Sequence, residues 1–385
     1  MRFALLLAAV LAPSGSSLAE SAPNPGWIAP LEVRDARLHL LDEVRSGPPQ
    51  AHPEPAYHFL DEVLATLAVP AARWPGRVRP FVVGQTLESR PIWGFVLRDP
   101  ARAVSTRMGV FANLHAMEWV GTEAALAFAL DFAAHPTPGV EVVVVPIVNV
   151  DARRRVEEDL RAGRRVYRRG NRARVDLNRD FAVHHDATSF WRHLFPGFHA
   201  SSPAPLSQPE TRALDRLARK AGFDLAVSLH AFGALVCTPW SGVWARPPDW
   251  RRLHALGTAL SSGQGARAYR VVQLSRWGFF FRAQGSEIDH LYGRYGTAAF
   301  LVECTRTGIE PLHPSTWTDP FRRYNPRNPS HDVREVARLL RAGVVALATG
   351  GPVRVAPPAP GPPEARRERP KGPIVEDDPI GRSRE

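Results

Sequence analysis

The sequence predicts an α/β fold, a sheet with helices on both faces, and two observations carry that expectation. From about Tyr57 to Gly350, stretches with helical spacing alternate with short strand-like runs, the order expected when strands and helices build one layered core. Val140 to Val150 is strongly β-branched, the composition of a buried strand.

Taken in chain order, Tyr57 to Ala68 has helical spacing. Val78 to Val83 and Ile92 to Leu97 read as paired strands around the turn-like stretch Gly84 to Ser89. Met108 to Leu114 is an apolar strand, and Val120 to Ala134 is a helix rich in Ala and Leu. Val140 to Val150 follows as a strand. In the second half, Gln208 to Ala221 is helical, with Pro209 near its first turn, where the missing amide proton costs nothing. Phe223 to Leu229 is a strand, Trp250 to Leu260 a helix and Thr297 to Val302 a strand. His331 to Ala348 closes the domain as an amphipathic helix.

The ends differ from this middle. Met1 and Arg2 precede an apolar run, Phe3 to Ala12, then Pro13 and the small-residue stretch Ser17-Leu18-Ala19. That order reads as a secretory signal peptide over 1–19, so the expected location is secreted or periplasmic. Residues 20–50 form a Pro-rich lead-in, 51–350 the main folded domain, and the Pro-rich, charged stretch 351–385 a tail expected to be disordered. No segment offers the ~18 consecutive apolar residues of a membrane span.

The formal net charge of +11 is nearly all Arg, since Lys stands only at positions 220 and 371. Arg is spread along the chain with Pro and Ala, and no recognition helix, zinc finger or aromatic RNA-binding signature accompanies it. Nucleic acid is therefore not an expected partner. Cys237 and Cys304 are the two cysteines, too few for a Cys-rich zinc site. They read as buried thiols, although an exported chain could bridge them.

The chemistry-bearing residues sit where strands end. His115-Ala116-Met117-Glu118 follows one predicted strand and precedes a helix, a spacing that lets both side chains grip one ion. His230 and Glu303 each follow another predicted strand, and α/β sites gather beyond the carboxyl ends of strands. Two His and a carboxylate are a common catalytic zinc set, leaving a fourth position open. Glu303 is then free to accept a proton from an attacking water. Arg179, with Asn178 beside it and Leu177 and Phe181 flanking them, reads as a fixed anion clamp, because a guanidinium makes two parallel bonds to a carboxylate. Arg169 is not distinguished from the neighbouring arginines by pattern alone. His184-His185-Asp186 reads as a loop, and His193, His199, His254, His290, His313 and His331 as surface or packing residues.

Seven short pieces, in order, carry a resemblance. They are Gly84 to Ile92 (GQTLESRPI), Asn113 to Trp119 (NLHAMEW), Pro146 to Asp151 (PIVNVD) and Arg169 to Asn171 with Val175 to Phe181 (RGN, VDLNRDF). Ser207 to Thr211 (SQPET), Ser228 to His230 (SLH), and Gly285 to Asp289 (GSEID) ahead of Phe300 to Glu303 (FLVE) complete them. With this order the chain resembles the zinc carboxypeptidases over roughly residues 55–345. The resemblance implies a single α/β domain with a mixed, largely parallel twisted sheet and helices on both faces. It implies one zinc ion on His115, Glu118 and His230, and a monomer acting on peptides with a free C-terminal carboxylate. Arg169 would polarise the scissile carbonyl and stabilise the oxyanion. Asn178 and Arg179 would hold the substrate carboxylate, Glu303 would be general base and then acid, and Asp176 would orient His115.

Departures from the family pattern fall in substrate handling. Met117 stands where an Arg often precedes the Glu ligand, and Phe281 where a mobile Tyr is usual, so a hydroxyl is lost from the lid. Val150 and Ala152 replace the Pro and Gly of a family turn. Ile288 occupies the position that lines the side-chain pocket, which favours apolar or aromatic C-terminal residues; Glu287, if turned inward, would favour basic ones. The same site also fits an exported amidase or peptidase acting on cell-wall peptide stems, while an inactive binding relative should have lost a ligand or the base.

Overall fold

A computed structural model describes residue 40 and residues 53–185, 202–278, 282–307, 309 and 312–350. The signal peptide, all of the lead-in except Leu40, the tail, Phe281, Asp186, His193 and His199 lie outside the described residues.

Eight strands form one mixed sheet. They are β1 (Val78–Gln85), β2 (Pro91–Arg98), β3 (Thr106–Ala112), β4 (Val140–Val145), β5 (Leu225–His230), β6 (Leu235–Thr238), β7 (Arg270–Gln273) and β8 (Ala298–Glu303). Their order across the sheet is β1-β2-β4-β3-β5-β8-β6-β7. The central neighbours β4-β3-β5-β8 run parallel, as do β6 and β7, while β1-β2, β2-β4 and β6-β8 are antiparallel. The helices are α1 (Leu60–Arg73), α2 (Val120–Ala134), α3 (Val150–Arg161), α4 (Pro209–Ala221), α5 (Trp250–Ser262), α6 (Leu274–Trp277), α7 (Glu287–Tyr295), α8 (Pro320–Tyr324) and α9 (Ser330–Gly350). Among the described residues no helix is long and apolar enough to cross a membrane.

Both sheet faces are covered, which is why β4 and β5 are buried along their whole length and β8 in all but its last residue, Glu303. Side chains alternate between faces, so Leu225, Val227 and Leu229 of β5 share one face and Ser228 and His230 the other. Gly121 of α2 and Gly343 of α9 pack against Leu229 and Leu225, and Gly257 of α5 against Phe300 of β8. Helix α7 lies on the opposite face, where Glu287 reaches Ser228. Val142 to Val145 are each 0% exposed, and burying a valine side chain stabilises by roughly 1.5 kcal/mol or more.

The expected run Val140 to Val150 is two elements. Pro146 cannot donate to the ladder and closes β4, Asn149 flanks the next start, and Val150 opens α3. The Gly84 end of the expected turn belongs to β1, whose register shifts between Val82 and Gly84. His230 and Glu303 are the last residues of their strands rather than the first beyond them. Cys237 and Cys304 are buried free thiols.

Helix α7 is tied to α4 through Asp215. Its Oδ1 accepts from Tyr295 Oη at 2.5 Å and lies 2.8 Å from His290 Nε2. Burial alone would raise the Asp215 carboxyl, but these two hydrogen bonds outweigh it and hold it at about 2, against an ordinary 3.8. A depressed folded-state value adds stability above the unfolded value and loses it as pH falls towards 2. Asp215→Asn should therefore lower the urea midpoint at pH 7 by an amount equivalent to on the order of 1–2 kcal/mol. The gap between variant and parent should close between about pH 4 and 2; a gap independent of pH would contradict this assignment.

Candidate metal centre and substrate clamp

The parallel strands β3, β5 and β8 are neighbours, so their carboxyl ends meet at one place. Ala112 pairs with Leu229, and His230 with Glu303. Beyond β3 the chain turns sharply at Asn113, whose φ of 56° is one that Asn tolerates better than most residues. Its amide Nδ2 donates to the carbonyls of His115 at 2.9 Å and Glu118 at 3.1 Å, and Asn149 Nδ2 donates to Leu114 O at 3.0 Å. Asn325 holds the same loop from outside, donating to Met117 O at 2.7 Å and accepting from Trp119 N at 2.8 Å. Helix α2 can then sit close on β5 because Gly121 has no Cβ; one there would lie 2.9 Å from Leu229 Cβ. None of these three Asn roles was assigned from the sequence, although the φ-tolerant residue type at a strand end was visible.

The result is a convergent donor set. His115 Nδ1 lies 2.8 Å from Glu118 Oε1, His230 Nδ1 lies 3.0 Å from Glu118 Oε2, and the two Nδ1 atoms are 3.0 Å apart. Among the described residues, these three side chains are the group of His, Cys, Asp or Glu whose ligand atoms all fall within 4.8 Å of one another. His115, Glu118 and His230 are 2–3% exposed. Two imidazole nitrogens facing each other and a carboxylate inside the protein leave lone pairs aimed at one point, an arrangement a divalent cation satisfies. The donor types fit zinc, with a fourth position left for a substrate or water. His184, read from the sequence as part of a loop, pairs instead with Asp289 at 2.8 Å.

The remaining expected residues surround this set. Asp176 Oδ1 is 3.0 Å from His115 Nε2, and Asp176 Oδ2 accepts from Arg169 Nε at 2.8 Å. Burial alone would raise the Asp176 carboxyl, but Arg169, His115 and Arg179 outweigh it and hold it well below the usual range. Arg169 Nη1 also reaches Glu118 Oε1 at 3.4 Å. Glu303 is half-buried beside Glu118, with its Oε2 enclosed and without a hydrogen-bond partner. Burial first, and repulsion from Glu118 second, push its carboxyl well above the ordinary value.

Asn178 and Arg179 lie on a short 3-10 turn, Leu177–Arg179, capped by Asp176. Arg179 is 3% exposed, donates from Nη1 to Asn178 O at 2.6 Å, and leaves its Nε without a partner. The turn is pinned from both sides. Asp180 accepts from Gln208 N at 2.9 Å and Thr211 Oγ1 at 2.5 Å at the start of α4. Gly285, with φ of 61°, passes so close that a Cβ would sit 2.7 Å from Arg179 O. Ile288 and Glu287 are each 1% exposed.

The zinc carboxypeptidase family model matches residues 63–318. The chain belongs to the zinc carboxypeptidase family. It is similar to carboxypeptidase A6 of Mus musculus, 27% identical over 270 residues, which cover 66% of this chain and 61% of that protein. Carboxypeptidase A2 of the same organism is 25% identical over 277 residues, covering 66% of this chain and 63% of that one. The chain thus spans under two thirds of the length of these relatives. Among solved structures, carboxypeptidase A from Helicoverpa armigera superposes with a TM-score of 0.64 at 18% identity, covering 82% of this chain and 80% of its own. Thrombin-activatable fibrinolysis inhibitor does so with 0.61 at 18% identity, covering 81% of each chain. These likenesses show the shared fold.

Proposed function

We propose that this zinc carboxypeptidase family member is an exported enzyme that hydrolyses the C-terminal peptide bond of peptides. The observation that carries the reading is the convergence of His115, Glu118 and His230 next to Glu303, a half-buried glutamate whose Oε2 is enclosed and unpartnered. Export rests on the charged, apolar and small-residue order of positions 1–19.

Zinc held by these three residues would polarise the scissile carbonyl and acidify the attacking water. Glu303 takes the proton of that water at a carboxylate oxygen as the water oxygen bonds to the carbonyl carbon. It then delivers the proton to the amide nitrogen as the C–N bond breaks. The Arg169 guanidinium stabilises negative charge growing on the carbonyl oxygen. Asp176 fixes the His115 ring by holding its Nε2 proton. Asn178 and Arg179 receive the substrate's terminal carboxylate, which gives the buried Arg179 Nε the hydrogen-bond partner it lacks and selects chain ends over internal bonds.

Arg179→Gln tests the clamp. The variant should keep its zinc and lose roughly 100-fold in kcat/KM on blocked dipeptides with a free carboxylate, the usual cost of removing one partner of a buried charge pair. C-terminally amidated analogues should be poor substrates for both forms and unaffected by the change. An equal loss on free and amidated substrates would remove the clamp role.

A further inference from the structure

We propose that Glu287 is a positioning residue for His230, acting through the Ser228 hydroxyl, so that a buried carboxylate orients the second imidazole of the metal set as Asp176 orients the first. The proposal rests on the zinc reading above.

Ser228 and His230 stand two apart on β5 and therefore project to the same face. Ser228 Oγ lies 3.1 Å from His230 Nε2, and the same hydroxyl donates to Glu287 Oε2. All three side chains are buried, at 1%, 2% and 1% exposure for Ser228, His230 and Glu287. Glu287 is the first residue of α7, capped by Ser286, and its backbone N–H donates to Asn178 Oδ1 at 2.8 Å. The relay is thus anchored at both ends, on the metal set and on the carboxylate clamp.

Proton counting fixes its direction. A serine hydroxyl carries one proton, and Glu287, once ionised above the value of about 7 to which burial raises its carboxyl, only accepts. Ser228 therefore gives its proton to Glu287 and accepts the Nε2 proton of His230 on its own lone pair. That places the His230 proton on Nε2 and leaves a lone pair on Nδ1, the atom that faces Glu118 and His115. His115 has the same arrangement, with Nε2 on Asp176 and Nδ1 facing inward.

An acidic residue in the first turn of a helix is ordinary, because it complements the exposed N–H groups there. Such a residue gains that benefit at the surface, without desolvation. Glu287 is instead buried with its Oε1 unpartnered, a penalty that helix capping does not require and that orienting His230 accounts for.

Zinc dissociation constants of the full chain, measured by competition with a chromogenic chelator, test the relay. Glu287→Met and Ser228→Ala should each weaken zinc by about 10- to 100-fold. The double variant should lose no more than the worse single, because either change breaks the same link. Glu287→Gln, which keeps an acceptor for the hydroxyl, should lose less than Glu287→Met. Thermal midpoints of the metal-free proteins should not fall with zinc affinity, as they would if Glu287 only supported the fold. If the parent binds stoichiometric zinc, His230→Ala does not, and Glu287→Met and Ser228→Ala keep parental affinity, the relay is overturned while the zinc reading stands. Losses that add in the double variant also overturn it, and a parent without zinc overturns both.

Discussion

Glu303→Gln should leave one zinc per chain and reduce peptide hydrolysis by at least about 100-fold, and up to ~10⁴-fold, the range for losing a positioned acid–base group. Glutamine matches the shape of glutamate but cannot take a proton. The effect should therefore fall on kcat, with KM for blocked dipeptides little changed. Zinc stoichiometry should hold because Glu303 lies outside the group of three converging donors. Single-turnover kinetics and elemental analysis of the same sample check both halves. Retained hydrolysis would remove Glu303 from the mechanism, and lost zinc would make it a ligand.

His230→Ala should have the opposite signature. It removes one of three donors, and sharing a typical protein–zinc binding energy among its ligands gives a loss of roughly 3 kcal/mol, or about 100-fold in affinity. The variant should leave purification with substoichiometric metal and negligible hydrolysis, and excess zinc should restore part of the activity. The neighbouring carboxylate Glu118 would keep its hydrogen bonds from the Ala231 backbone N–H at 3.0 Å and from Arg169 at 3.4 Å, so the site should lose metal without collapsing. Differential scanning calorimetry in chelator checks this, since the metal-free midpoints of parent and variant should lie close together. Full activity with full zinc in His230→Ala would exclude His230 from the metal set.

The central sheet was legible because its strands are continuous apolar runs. β4 lies within its predicted stretch, β5 and β8 end one residue past theirs, and β3 begins two residues before its own. The donor set followed from it, since neighbouring parallel strands bring their carboxyl ends together whatever the loops do. Short elements were less visible. β6 has four residues and β7 four, too few to display a period, and α7 begins within a motif read as pocket lining. Val150 was placed in a strand because β-branching outweighed the Pro146 and Asn149 signals, which in the fold separate β4 from α3. Long-range hydrogen bonds were invisible for a different reason. Asn325 reaches Met117 and Trp119 across more than 200 positions, and no local pattern announces such a partner. Glu287 turns inward, as one alternative for it required, but the partner it meets is Ser228.

Carboxypeptidase action is read out by mass spectrometry of a free-acid peptide and its C-terminally amidated twin, each incubated with the purified, zinc-loaded chain. The free acid should shorten from its C-terminus one residue at a time, the amidated twin should stay intact, and a chelator should stop the shortening until zinc is returned. Internal cleavage, equal attack on both peptides, or shortening that continues in chelator with no metal bound would contradict it.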